Sequence, residues 1–198
     1  MRLFFAIELP KNVRGHLLRL RDELERKQYG QVKWERPENL HLTLKFLGEV
    51  PDADVPALCE AVKQVAAPAP FRLQPDGWVF FPERGPVRIV AAGVGGDTGR
   101  LILLQRAVES ACEAVGYPRD ARAYHPHLTI GRAKDGLPHH IRGKYWQRPS
   151  GQIPSGSDEL GPAFDVNEFV LMESLLRPEG PLYTPVARFP LTPTDAEP

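Results

Sequence analysis

The stretch Leu40-His41-Leu42-Thr43-Leu44-Lys45-Phe46-Leu47 decides how this chain is read. From Leu40 to Leu44 apolar and other residues alternate, the period of a strand that turns one face to a core. Residues two apart in a strand share a face, roughly 6.5–7 Å from each other. His41 and Thr43 therefore point one way, and Leu42 and Leu44 point inward. Gly48 closes the segment. The pattern returns 86 residues later as His127-Leu128-Thr129-Ile130, in a strand expected over 126–132. A His-x-Thr strand found once is weak evidence of a site; found twice it is strong. If the two strands lie side by side across a cleft, two imidazoles and two hydroxyls converge on one small space.

Those groups suit a phosphodiester. Imidazole titrates at about pH 6.5, so near neutrality one ring can serve as a base and the other as an acid. Threonine hydroxyls donate to phosphoryl oxygens, where a carboxylate would repel them. Arg132, five residues after His127, offers a charged donor for the same oxygens. It stands an odd number of residues from the histidine, so it reaches the cleft only where the strand ends or bulges, which Gly131 permits. A metal between His125 and His127 is the competing idea. Pro126 intervenes, and no third ligand stands at a suitable spacing.

Outward from the motifs, residues 2–8 read as a buried first strand. A signal segment is the other reading of this opening, but Glu8, Leu9 and Pro10 end it early and no cleavage site follows. Val13, Leu17, Leu20 and Leu24 mark a helix running to Lys27, with His16 on its charged, solvated side. Val32-Lys33-Trp34 is a short extended piece. A second helix is expected from Asp54 to Ala66, and strands over 71–80 and 87–93 joined by the turn Pro82-Glu83-Arg84-Gly85-Pro86. A third helix begins at Asp97 or Thr98 and stops at Gly116. Gly93-Val94-Gly95-Gly96-Asp97 lacks the lysine of a phosphate loop and reads as a turn with a helix cap. Residues 133–161 read as loop, and strands follow near 164–175 and 182–191. The hairpin-like strand pairs favour antiparallel sheet and an α+β fold. Trp34 and Trp78 read as packing residues.

The 198 residues include 42% apolar side chains, enough for a substantial core. Twenty-five basic residues balance 25 acidic ones, which argues against gripping long nucleic acid by bulk charge and leaves room for a local basic pocket. The segment 132–148, with Arg132, Lys134, Arg142, Lys144 and Arg148 beside Tyr145 and Trp146, is a place for an RNA strand or an ordinary surface loop. No apolar run reaches the roughly 20 residues of a membrane span. Cys59 and Cys112, both in helical patterns, suit a reducing cytoplasm.

The chain resembles the 2H phosphoesterase superfamily, and within it the RNA 2',3'-cyclic phosphodiesterases, also called 2'-5' RNA ligases. The resemblance rests on Arg2-Leu3-Phe4-Phe5-Ala6-Ile7, on Pro37 to Gly48 around the first motif, on His125 to Arg132 around the second, and on Tyr183-Thr184-Pro185. Gly131 departs from the pattern, since many relatives carry a larger apolar residue there. The resemblance implies an α+β bilobal domain over residues 1–198, with two pseudo-twofold lobes of antiparallel sheet and outer helices around a central cleft. It implies His41 and His127 as the catalytic pair, with His41 as acid and His127 as base. The near-twin motifs do not by themselves assign those roles. It further implies Thr43, Thr129 and Arg132 on the phosphate, Phe4 lining the nucleotide site, and neither metal nor cofactor. The expected protein is a cytoplasmic monomer that opens RNA 2',3'-cyclic phosphate ends, on tRNA fragments or small cyclic nucleotides, to 2'-phosphates. Two other readings stand beside it: a ligase that runs the chemistry backwards onto a 5'-hydroxyl, and an RNA-end-binding module without turnover.

Overall fold

The computed structural model describes residues 1–28, 32–65, 67–82, 87–133, 160–178 and 180–192. In chain order they form β1 (Arg2–Glu8), α1 (Lys11–Gln28), β2 (Val32–Trp34), β3 (His41–Glu49), α2 (Val55–Lys63), β4 (Phe71–Phe81), β5 (Ile89–Gly96), α3 (Thr98–Ala114), β6 (His127–Ala133), β7 (Phe164–Val166), β8 (Glu168–Arg177) and β9 (Gly180–Pro190). All nine strands join one antiparallel sheet in the order β7-β4-β5-β6-β3-β1-β8-β9, with β2 also paired to β6. The fold is α+β, as the hairpin patterns implied.

The sheet has two halves, β3-β1-β8-β9 and β6-β5-β4-β7, and they meet where β3 pairs β6 through Leu42 and Leu128 alone. The expected lobes are thus parts of one continuous sheet. The sheet also curls strongly. β7 stands at one edge and β8 next to the opposite edge, yet only Asn167 separates them. Two peptide steps of about 3.8 Å are all that link them, so the far ends of the sheet come together. The Leu191 amide donates to the Asn167 carbonyl at 2.7 Å and pins the seam.

One face of the sheet carries the main core. Leu3, Phe5, Ile7, Leu42, Leu44, Leu128 and Ile130 bury there against Val13 and Leu17 of α1, Leu58 and Val62 of α2, and Leu101, Leu104 and Val108 of α3. Val13 and Leu17, read at helical spacing, face the strands, and Leu20 packs against the same core. Cys112 is buried in the same core, and burial pushes its thiol pKa up to about 12. Trp34 and Trp78 pack against this core. On the opposite face of the sheet lies a small cluster of Phe4, Ala6, Val170 and Met172. His16 is partly covered rather than solvated: Arg19 donates to its Nδ1 at 3.1 Å, and Gly161 lies beside its ring.

Both motif strands bulge just after the threonine. Between β1 and β3 the register passes from Ala6–Thr43 to Phe5–Lys45, leaving Leu44 as the extra residue. Between β5 and β6 it passes from Ala91–Thr129 to Val90–Gly131, leaving Ile130 as the extra one. A bulge resets the alternation of faces. It turns Lys45 towards α3, where Nζ donates to Glu109 Oε2 at 2.6 Å and to the Pro118 carbonyl at 2.7 Å. Both charged side chains are buried, and each is hydrogen-bonded as a buried ion pair must be.

Some boundaries differ from the sequence reading. Gly93–Gly96 is the end of β5, not a turn. Asp97 precedes α3, but its carboxylate accepts from the Arg72 amide of β4 at 3.1 Å instead of capping the helix. The strand read over 164–175 is two strands, broken at Asn167. Residues 83–86 of the expected turn, and residues 134–159, which hold most of the expected loop and of the basic segment, lie outside the described residues.

The departure at Gly131 has a local cause. Gly131 pairs with Trp34 of β2, and a Cβ placed there would lie 2.6 Å from Val32 Cγ1 and 2.7 Å from Trp34 Cε3. The indole occupies the space that a larger residue would need. Gly131→Ala should therefore lower stability by about 1–3 kcal/mol through overpacking, and adding Trp34→Leu should restore part of it. Denaturant midpoints of the two variants check this; a neutral Gly131→Ala would refute it.

Candidate active site

The single Leu42–Leu128 pair sets the geometry of the site. Both leucines are fully buried on the helix side, so the residues flanking them turn to the other face. His41, Thr43, His127 and Thr129 come together there and line one cleft of about 430 Å³. In an antiparallel pair centred on these leucines, His41 stands across from Thr129 and Thr43 across from His127. The four side chains named by the two motifs are thus brought onto one surface.

Each histidine is oriented in the same way. His41 Nδ1 lies 2.7 Å from the Asn39 carbonyl oxygen, and His127 Nδ1 lies 2.7 Å from the His125 carbonyl oxygen. A carbonyl only accepts, so both Nδ1 atoms carry the hydrogen, and Nε2 is the ring nitrogen that can exchange a proton. The Thr43 hydroxyl donates to His41 Nε2 at 3.1 Å. His41 is wedged between rings, with Phe4 at 4.9 Å and Tyr183 edge-on at 5.2 Å between centroids. That burial pulls its pKa down to about 4, against the opposing effect of the Asn39 carbonyl, and the positive charge of Arg132 and His127 lowers it further. In the empty cleft His41 is neutral. Phe81 lies 4.8 Å from the His127 ring.

Arg132 also lines the cleft. The bulge that brings it there falls at Ile130, one residue before the glycine that sequence pointed to. The guanidinium Nε donates to Glu35 Oε1 at 3.2 Å, and Glu35 is itself anchored by its amide on the Ile130 carbonyl at 2.8 Å. Phe4 requires a correction. It is 2% exposed and is not part of the cleft wall. It alternates with Leu3 and Phe5 on β1 and lies beneath His41, in ring contact with His41, Phe46 and Tyr183, so it supports the histidine-bearing face from below.

Sequence reading missed several contributors. Glu35 sits in a connection with no motif. Tyr124 belongs to the segment before β6, and its hydroxyl donates to the Thr43 carbonyl at 2.9 Å, tying the approach to the second motif onto the first. Tyr183 was noted only as part of a resemblance; burial raises its pKa, as does the charge of Glu35. Only pairing between distant strands reveals these neighbours. His125 lines the cleft beside His127. Among the described residues, no three His, Cys, Asp or Glu side chains gather closely enough to hold a metal ion.

Known proteins resemble this chain in sequence and in fold. The sequence pattern of LigT-like phosphoesterases matches residues 7–91. A protein of Archaeoglobus fulgidus named RNA 2',3'-cyclic phosphodiesterase is 33% identical over 185 residues, which cover 92% of this chain and 96% of that protein. A protein of the same name from Methanothermobacter thermautotrophicus is 34% identical over 197 residues, covering 96% of this chain and 99% of that one. Among solved structures, a protein of Thermus thermophilus superposes with a TM-score of 0.77 at 30% identity, covering 98% of this chain and 99% of its own. E. coli LigT complexed with 3'-AMP superposes with a TM-score of 0.75 at 28% identity, covering 96% and 98%.

The depressed His41 pKa can be read directly. A nuclear magnetic resonance titration of its ring protons should show a midpoint near pH 4, well below the ordinary value of about 6.5. Inorganic phosphate bound in the cleft should move the midpoint upward, because its negative charge favours the imidazolium. A midpoint near 6.5 in the free protein would refute the desolvated environment described above.

Proposed function

Because the chain belongs to the family of LigT-like phosphoesterases, we propose that it hydrolyses RNA 2',3'-cyclic phosphate ends to 2'-phosphates with His41 and His127 as an acid–base pair and without a metal. The observation that carries this reading is the matched pair of imidazoles on one cleft face, each held by a carbonyl at Nδ1 with Nε2 left to react. The RNA cyclic phosphodiesterase names of the relatives support the substrate class.

In the proposed reaction, water attacks phosphorus in line with the bond to O3'. One histidine Nε2 takes a proton from the water, the P–O3' bond breaks, and the other Nε2 protonates the departing O3'. The phosphate stays on O2'. Thr43 and Thr129 donate to the non-bridging oxygens, and Arg132 adds a charged donor while Glu35 holds it at Nε. Ligation is the same chemistry with a 5'-hydroxyl in place of water. Water at roughly 55 M prevails unless a second RNA end is firmly held, so hydrolysis is the assigned activity.

Resemblance makes His41 the acid. Since His41 is neutral in the empty cleft, the anionic substrate must then bring it a proton by raising its pKa as it binds. The lowered pKa favours a second order, with His41 as the base and His127 as the acid. A substrate with bridging sulfur at the 3' position separates the two, because a thiolate departs without an acid. Its turnover should survive substitution of the acid histidine and not of the base.

Nucleoside 2',3'-cyclic phosphates, with products identified by chromatography, test the whole reading. The 2'-phosphate should form, in excess chelator as well as without it. His41→Ala and His127→Ala should each lower kcat by about 10²–10⁴-fold. A 3'-phosphate product would reverse the leaving group, and loss of activity in chelator would remove the metal-free mechanism. Full activity of His127→Ala would end the proposal. With His41 as the base, kcat/KM should fall as the pH drops below about 4, where His41 becomes cationic.

A further inference from the structure

The described residues that line the cleft include three cationic side chains, Lys45, Arg122 and Arg132, and three carboxylates, Glu35, Glu109 and Asp120. Each cation is hydrogen-bonded to one of the acids. Lys45 is paired with Glu109, Arg122 with Asp120, and Arg132 with Glu35. The histidines apart, the fixed charge that these residues place around the site cancels. A site that gripped a doubly charged phosphate would carry a surplus of positive charge.

Glu35 is the acid paired with the arginine assigned to the phosphate, and its main chain is held on both sides. Its amide donates to the Ile130 carbonyl at 2.8 Å, and Arg21 Nη1 of α1 donates to the Glu35 carbonyl at 3.3 Å. The Glu35 side chain is 17% exposed, against 54% for that of Arg132. The carboxylate is thus more covered than the guanidinium it meets, unlike a loose surface ion pair between two free side chains. It accepts from Nε, and among the described residues the two Nη groups make no hydrogen bond, which leaves them for an anion. The charge of Glu35 also reaches Tyr183: burial raises that phenol's pKa most, and the carboxylate raises it further. Tyr183 meets the His41 ring edge-on, so the field of Glu35 extends to the histidine-bearing face.

Hydrolysis changes the charge of the ligand. A cyclic phosphate is a diester and carries one negative charge. Water's oxygen joins phosphorus and a proton goes to O3', so the product holds a new P–OH. That group ionises at about pH 6, and near neutrality the 2'-phosphate end is a dianion. We propose that Glu35 makes the cleft discriminate by charge, accepting the singly charged diester and disfavouring the doubly charged phosphomonoester, so that the product leaves once its new hydroxyl ionises. The proposal rests on the hydrolase reading for its substrate and adds a residue that sets which phosphate is held. Coulomb energy is proportional to ligand charge. Whatever factor in affinity Glu35 costs a monoanion, it costs a dianion the square of that factor.

The test compares two ligands that differ by one charge, adenosine 2'-phosphate and the diester formed by methylating its phosphate. Calorimetric dissociation constants are measured at about pH 8, where the phosphomonoester is a dianion. Glu35→Gln keeps an oxygen for Arg132 Nε and removes the charge. It should tighten the methyl diester about threefold and the phosphomonoester about tenfold. Glu35→Asp keeps the charge and should keep the wild-type ratio of the two. An equal change for both ligands in Glu35→Gln, or weaker binding of either, would overturn the proposal. So would a wild-type protein that binds the phosphomonoester more tightly than the diester. If binding follows this pattern but no cyclic phosphate is turned over, the hydrolase reading fails and the charge discrimination stands. If cyclic phosphate is hydrolysed and Glu35→Gln leaves the ratio unchanged, the discrimination alone fails.

Discussion

The two halves of the sheet are joined at their centre by one residue pair, Leu42 on β3 and Leu128 on β6. Both side chains are buried against the helices, and their burial decides which way everything else on those strands faces. A slip of one residue in either strand would carry its leucine out of the core and its histidine into it. The apolar core thus selects the register, and the register aims the imidazoles. Polar chemistry on one face of the sheet is positioned by hydrophobic packing on the other.

Around that pair the structure supplies orientation with very few groups. Carbonyl oxygens two residues before each histidine fix both rings in one tautomer. Tyr124 ties the segment before β6 to the Thr43 carbonyl, and Lys45 reaches both Glu109 of α3 and the Pro118 carbonyl of the same segment. The approach to the second motif is therefore fastened at two points to the strand that carries the first. The curl of the sheet, drawn together at Asn167, makes its histidine-bearing face concave.

Much of this was legible in the sequence because it depends on short periods. Alternation over 40–44 and 127–130 placed His41, Thr43, His127 and Thr129 on one face, and helical spacing identified Val13 and Leu17 as core residues. Features that depend on pairing between distant segments were not legible. The bulges at Leu44 and Ile130 exist only relative to β1 and β5, so the burial of Lys45 could not be read from its own strand, and the bulge before Arg132 was expected one residue late, at Gly131. Phe4 shows the same limit: period two puts it on the opposite face from Leu3 and Phe5, but only the packing of Phe46 and Tyr183 shows that this face is covered at that point. Gly93–Gly96 reads as a turn by composition and is a strand because β4 pairs with it. Gly131 looked like a departure until Trp34 was seen to occupy the missing volume.

The correspondence of the two motif strands, down to the position of the bulge, has an architectural consequence. A half of this size pairing with a second copy of itself would place the same histidines and threonines around a true symmetry axis. Its two walls would then be chemically identical, and a lopsided molecule could enter in either of two equivalent orientations. Joining both halves in one polypeptide releases each wall from copying the other. Phe46 and Arg132 are where that freedom has been used, an aromatic ring on one wall and a guanidinium at the matching position of the other.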